Sequence, residues 1–228
     1  MWNSPVVLPP GDRSVDIMHA PPAEAKKAKT TFSVWRTDAE ARAIVQAGMA
    51  VLRRSSARNL TVADVLEEAG LSTRAFYRHF QSKDELILAV YQHDNRRAIE
   101  RLRARIATAT SPLDALEKWV EVALGLGFAP RHAPRTVTLW REGGRLWARY
   151  PREYNAIVEG LVKPLTDVLE RGRRQGAFPF ADPHLDAVSI HAVVWRLIER
   201  KLGGDDSLDL ASATAYVLRF CLPVLTGR

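Results

Sequence analysis

The stretch "TVADVLEEAGLSTRAFYRHFQSKDEL", Thr61 to Leu86, decides the fold of this chain. Val62, Val65, Leu66 and Ala69 recur at helical spacing after Thr61, and Gly70 stops the run. Ser72 or Thr73 then caps a very short helix through His79. After Phe80 a break is followed by Ser82, with Glu85 three residues on, which predicts the start of a long helix reaching about Ala107. A helix, a turn at Gly70-Leu71-Ser72 and a seven-residue helix make the helix-turn-helix pattern, in which the second helix enters the major groove of DNA.

Val65, Ala69, Leu71, Phe76 and Phe80 are expected to share one small core, because Phe76 and Phe80 stand four apart on one helical face. Thr73, Arg74, Ala75, Tyr77 and Arg78 are then expected on the outward side. Hydroxyls at Ser72 and Thr73 suit phosphate beside the free N–H groups of a helix start. Arg74 can reach guanine bidentately, and Ala75 is short enough to lie against a thymine methyl. Tyr77, His79 and Lys83 are expected on backbone phosphates. Lys83 opposes the helix dipole where it stands, which stability alone does not predict and a bridging phosphate does.

The rest of the chain fits a basic, all-α protein. Its 228 residues carry 33 Lys+Arg against 26 Asp+Glu, a formal net charge of +7. The excess is uneven: residues 1–108 hold 17 basic against 12 acidic side chains, and residues 109–228 hold 16 against 14. An anionic partner is therefore expected at the motif's end of the chain. The single cysteine, Cys221, lies in an apolar run and reads as a small buried hydrophobe. With no cationic leader before an apolar segment and no unbroken apolar span, the expected location is the cytoplasm.

Residues 1–35 read as a flexible tail ending in "EAKKAKT", whose Lys26 to Lys29 could reach a minor groove or stay solvated. Residues 36–82 form the helix-turn-helix unit, whose first helix is expected from Thr37, as cap, with Glu40 three residues later, to about Arg54. Residues 83–228 form a larger helical bundle whose first helix, 83–107, is the connector. Five further helices are expected near 112–127, 134–148, 152–175, 183–202 and 208–226, about nine in all. Proline suits the first helical position at Pro112, and Gly176 and Gly203 sit where helices end.

The quoted stretch resembles the N-terminal DNA-binding domain of the TetR family of transcriptional regulators. The resemblance rests on the Thr61-Val62 helix start, Ala69-Gly70-Leu71-Ser72 at the turn, Phe76-Tyr77-x-His79-Phe80 and Lys83-Asp84-Glu85-Leu86. It covers about residues 37–90. Where family members usually carry a glycine and an aromatic between the first two helices, this chain has "RSSARNL", with Leu60 plugging the same core position. The resemblance implies a homodimer that binds a palindromic operator, usually represses transcription, and releases DNA when a small effector enters the C-terminal domain. The expected DNA-contacting set is Thr61, Ser72, Thr73, Arg74, Ala75, Tyr77, His79 and Lys83.

In the C-terminal half the apolar residues of 209–226 and 185–202 nearly encircle their helices, so both must be covered on most sides. A core on one side and a symmetry mate on the other would do so. Trp119, Phe128, Trp140, Trp147 and Tyr154 are expected to contribute to a cavity for a lipophilic effector, with Arg141 or Glu142 near its mouth. The six histidines show no metal-ligand spacing, and no nucleophile elbow or phosphate-binding glycine loop is present, so neither enzyme, metal nor cofactor is expected. The competing reading is a helical ligand-binding or protein-interaction module without specific DNA binding.

Overall fold

The structure, a computed structural model, describes residues 38–54, 60–130 and 132–227. Among them nine helices follow one another: α1 Ala39–Arg54, α2 Val62–Ala69, α3 Thr73–His79, α4 Lys83–Ala107, α5 Pro112–Phe128, α6 Ala133–Arg149, α7 Pro151–Arg174, α8 Pro183–Leu202 and α9 Leu210–Thr226. The described residues contain no strand. The all-α expectation holds, and helix ends fall within a few residues of those predicted.

Those ends are local chemistry. Thr61, Ser72, Ser82, Ser111, Asp182 and Asp209 each precede a helix and accept a hydrogen bond from the N–H three residues on. Each such cap contributes about 1 kcal/mol by satisfying a donor that the helix leaves open. At α1 the cap is Asp38, whose carboxylate accepts from the Ala41 N–H at 3.0 Å. Thr37, the expected cap, lies outside the described residues, as do the basic tail and residues 55–59 of the first loop.

Two apolar cores share α4. The first joins Ile44, Val51, Val65, Phe76, Phe80 and Leu86 to Leu139, Leu146, Tyr150 and Ile157 from α6 and α7. The interior of the helix-turn-helix unit is therefore completed by the second half of the chain. The second core packs Leu102 of α4 with Trp119, Leu165, Val194, Val217 and Cys221 from α5, α7, α8 and α9. Burial pushes the Cys221 thiol up to about 11, as befits a side chain acting as a hydrophobe. Between the cores α4 buries four consecutive polar residues, Gln92, His93, Asp94 and Asn95.

Candidate nucleic-acid interface

Gly70 makes the turn: at φ +64° its N–H reaches the Glu67 carbonyl at 3.2 Å, and the Leu71 N–H reaches the Leu66 carbonyl at 3.1 Å. This double bond closes α2 in the left-handed conformation that glycine adopts without strain. Leu71 then drops against the first core and α3 begins at once. Phe76 and Phe80 stack with ring centroids 5.6 Å apart and anchor α3 from below.

The anchoring sets what faces outward. Ser72, Thr73, Arg74, Tyr77 and Arg78 are exposed, Tyr77 to 59%. Thr61 is exposed as the cap of α2, its hydroxyl accepting from the Asp64 N–H at 3.1 Å. Lys83 is half-buried at the first position of α4. These side chains form the surface expected to meet a duplex.

Two expected contacts are corrected by the packing. Ala75 is only 4% exposed, so its methyl belongs to the core and not to the outward face. Counted from Phe76 at 100° per residue, Ala75 lies 100° round on one side and Phe80 40° on the other, within the broad apolar face of a packed helix. His79 falls between them. Its Nε2 lies 2.8 Å from Glu40 and 3.7 Å from Asp38, and its side chain is nearly closed off, so it ties α3 to α1 and does not point toward a phosphate. Glu40 also accepts from Arg78 Nη1 at 2.7 Å, which is the role its carboxylate plays here.

A second tie was not read from the sequence. Asp84, next to Lys83, accepts from Arg149 at 2.7 Å and lies 3.2 Å from Arg145, both on α6. Arg145 and Arg149 stand four apart, which is the available signal, but nothing local says which acid they meet. The Asp84 side chain is 13% exposed, while the two arginines are 49% and 40% exposed. Because water screens the arginines, Asp84→Asn is expected to cost about 1 kcal/mol, lowering Tm by about 2–4 °C in a chain of this size. Scanning calorimetry on Asp84→Asn, Arg149→Gln and the double variant checks it; strictly additive losses would show that no fork exists.

The expected effector residues do not form one wall. Trp119 is fully buried in the second core, edge-on to His191, whose imidazole burial pushes down to about 4. The Trp119 indole Nε1 is buried with no hydrogen-bond partner among the described residues. Phe128 is half-buried against the same core, with Lys201 Nζ 5.8 Å from its ring centre. Tyr154 instead packs on the first core, stacked on Tyr91 at 5.9 Å. Trp140, half-buried, donates its indole N–H to Glu199 at 3.1 Å, and Trp147 is half-buried further along α6. Burial first, and then the Glu199 charge, raises the Tyr154 hydroxyl above its ordinary range. Trp140, Tyr154 and Glu199 thus form one neighbourhood, while Glu142 of α6 pairs with Arg145.

A short exposed helix, held by aromatics in a helix-turn-helix and welded to a helical body, defines a DNA-binding protein of the helical regulator class. Residues 44–90 match the family described as "Bacterial regulatory proteins, tetR family". It is 26% identical over 198 residues to the HTH-type transcriptional regulator BetI of Brucella canis, spanning 82% of this chain and 92% of the relative. Its fold is shared with a transcriptional regulator of Saccharomonospora viridis solved in complex with choline, at a TM-score of 0.65, 20% identity, and coverage of 78% of this chain and 93% of that one. It is also shared with FadR of Bacillus subtilis solved in complex with stearoyl-CoA, at a TM-score of 0.62, 18% identity, and coverage of 82% and 98%. Among the described residues no helix is long and apolar enough to cross a membrane.

Proposed function

We propose that this protein is an effector-responsive repressor that binds a palindromic operator as a homodimer. The observation that carries the reading is the outward face of α3, where Thr73, Arg74 and Tyr77 stand exposed on a helix of seven residues. So short a reading element contacts too few base pairs for useful specificity, and two copies about one helical turn apart remedy this. Arg74 reads a base, while Thr61, Ser72, Thr73, Tyr77 and Lys83 hold phosphates. Lys83 gains its purpose here, since a cation at the start of α4 is relieved by a phosphate that helix and lysine share.

Selection of bound sequences from a random duplex pool tests the reading and should return an inverted repeat. On that operator Arg74→Ala is expected to lose about 1–3 kcal/mol and relax the preference at one base position per half-site. Tyr77→Ala and Lys83→Ala should weaken all duplexes alike, with Lys83→Ala lowering the salt slope by about one per bound half-site. A module that does not read DNA would show neither salt slope nor selected sequence, and equal behaviour of the three variants would sink the assigned roles.

The effector reading is a lipophilic molecule taken up among α5 to α8, close to the Trp140 and Tyr154 group rather than among all five expected aromatics. Choline in one structural neighbour and stearoyl-CoA in another support ligand uptake by this fold. The Glu199 carboxylate against Trp140 and near Tyr154 favours an effector that also carries a cationic or hydrogen-bond-donating group.

A further inference from the structure

We propose that the groove between α4, α5 and the start of α9 binds a soluble anionic amphiphile: a carboxylate or phosphate head on a short alkyl chain. The groove encloses about 530 Å³, within the range of small-molecule sites. It lies on the outside of the bundle, lined by neither Trp140 nor Tyr154, so it is separate from the effector neighbourhood.

Its chemistry is divided along its length. Arg101 and Arg105, one turn apart on α4, bring two fixed positive charges, against which Glu121 of α5 brings one negative charge. Val122, Ala129 and Leu210 supply an apolar lining between and beyond them. A small cationic ligand would meet net repulsion here, and a neutral apolar one would leave the charged rim unused. An anionic head with an alkyl tail satisfies both parts.

Two details make the groove able to accept it. Arg105 and Glu121 are 3.6 Å apart with side chains 50% and 41% exposed, a weak, water-screened pair, so an incoming head can replace the Glu121 carboxylate at Arg105. The α5 residue in the wall is Gly125, where an added Cβ would meet nothing within 4 Å. Two residues on, Gly127 is demanded by packing, since a Cβ there would lie 2.6 Å from Ile198. No contact among the described residues demands Gly125, although glycine inside a helix is less favourable than alanine. Its lack of a side chain keeps the groove open, while its carbonyl is already taken by the Ala129 N–H and lies 3.2 Å from His132 Nδ1.

The test is titration of the full-length protein with decanoate, decyl phosphate, decanol and decyltrimethylammonium, each below its micellar concentration, by calorimetry. The two anions should bind at one site at least tenfold tighter than the alcohol or the cation. Gly125→Leu, which fills open space and improves helix propensity, should weaken decanoate at least tenfold without lowering the helical circular dichroism or the melting temperature. Glu121→Gln should tighten decanoate several-fold, and Arg105→Gln should weaken it about tenfold. No saturable decanoate binding, equal binding of decanol, or decanoate binding indifferent to both Gly125→Leu and Glu121→Gln would each overturn the proposal. The last result would place the ligand elsewhere in the bundle.

Discussion

Phe220→Glu is expected to turn a dimer into a monomer that keeps its helices and loses its operator. On α9 the side chains of Tyr216, Phe220 and Val224 stand four apart and point out of the bundle, Phe220 being 55% exposed. Their neighbours Ala213, Val217 and Cys221 face inward and are buried. On α8 Leu185 and Val188 are likewise exposed, while Ile190, Val194 and Leu197 are buried. A helix apolar on both sides needs two covers, and the described residues supply only one. Self-pairing of α8 and α9 through a two-fold axis, as proposed, would supply the other. Under that symmetry a carboxylate at position 220 enters the interface twice, unpaired, at a cost of several kcal/mol. The dimer Kd should rise by about 10³ or more, read by sedimentation equilibrium, and operator affinity should fall with it because the half-sites are no longer bound as one unit. Since Phe220 contributes little to the interior, the circular dichroism should be unchanged. A variant that remained dimeric would move the interface to another surface and sink this assignment.

Helix boundaries were legible in the sequence because they are decided within a few residues. Ser72 before α3 and Ser82 before α4 are caps that a reader of the chain can name without knowing what lies across the fold. The two-sided character of α8 and α9 was legible for a similar reason, since periodicity alone says that too many faces are apolar. Ala75 and His79 were misplaced for different reasons. Ala75 was judged by its size, when its angular position beside Phe76 decides its burial. His79 meets Glu40, a partner 39 residues away, and no local rule identifies such a pairing. The Asp84 link to α6 and the Trp140 bond to Glu199 are longer-range still, at 65 and 59 residues. Polar ties between distant helices depend on how the helices cross, which is known only once the cores are packed. That is also why the aromatics of the second half could be gathered by type but not sorted: Trp119 entered one core, and Tyr154 the edge of the other.

Phe76→Ala is expected to abolish operator binding while most of the bundle stays folded. A seven-residue helix is far below the length at which a helix holds itself together in water, so α3 exists only because the core grips it. Phe76 is the grip. It is 1% exposed, stacks on Phe80, meets Tyr77 edge-on at 5.2 Å, and its carbonyl accepts the Phe80 N–H at 2.8 Å. Truncation removes the ring and leaves a cavity, at about 3–5 kcal/mol. That is comparable with the free energy that separates local opening of a small element from global unfolding. The loss should therefore appear first as opening of α3: its amides exchange with solvent much faster, whereas those of α8 and α9, whose apolar residues lie in the second core, keep their protection. The operator sees the same event, because Arg74 and Tyr77 are aimed only while α3 is formed. Phe76→Leu, which refills much of the volume, should recover most of the protection and most of the affinity. Hydrogen exchange and operator titration on the two variants decide the matter. Unchanged exchange in α3 after Phe76→Ala, or loss of affinity without faster exchange, would mean that the reading helix is held by something other than its aromatic core.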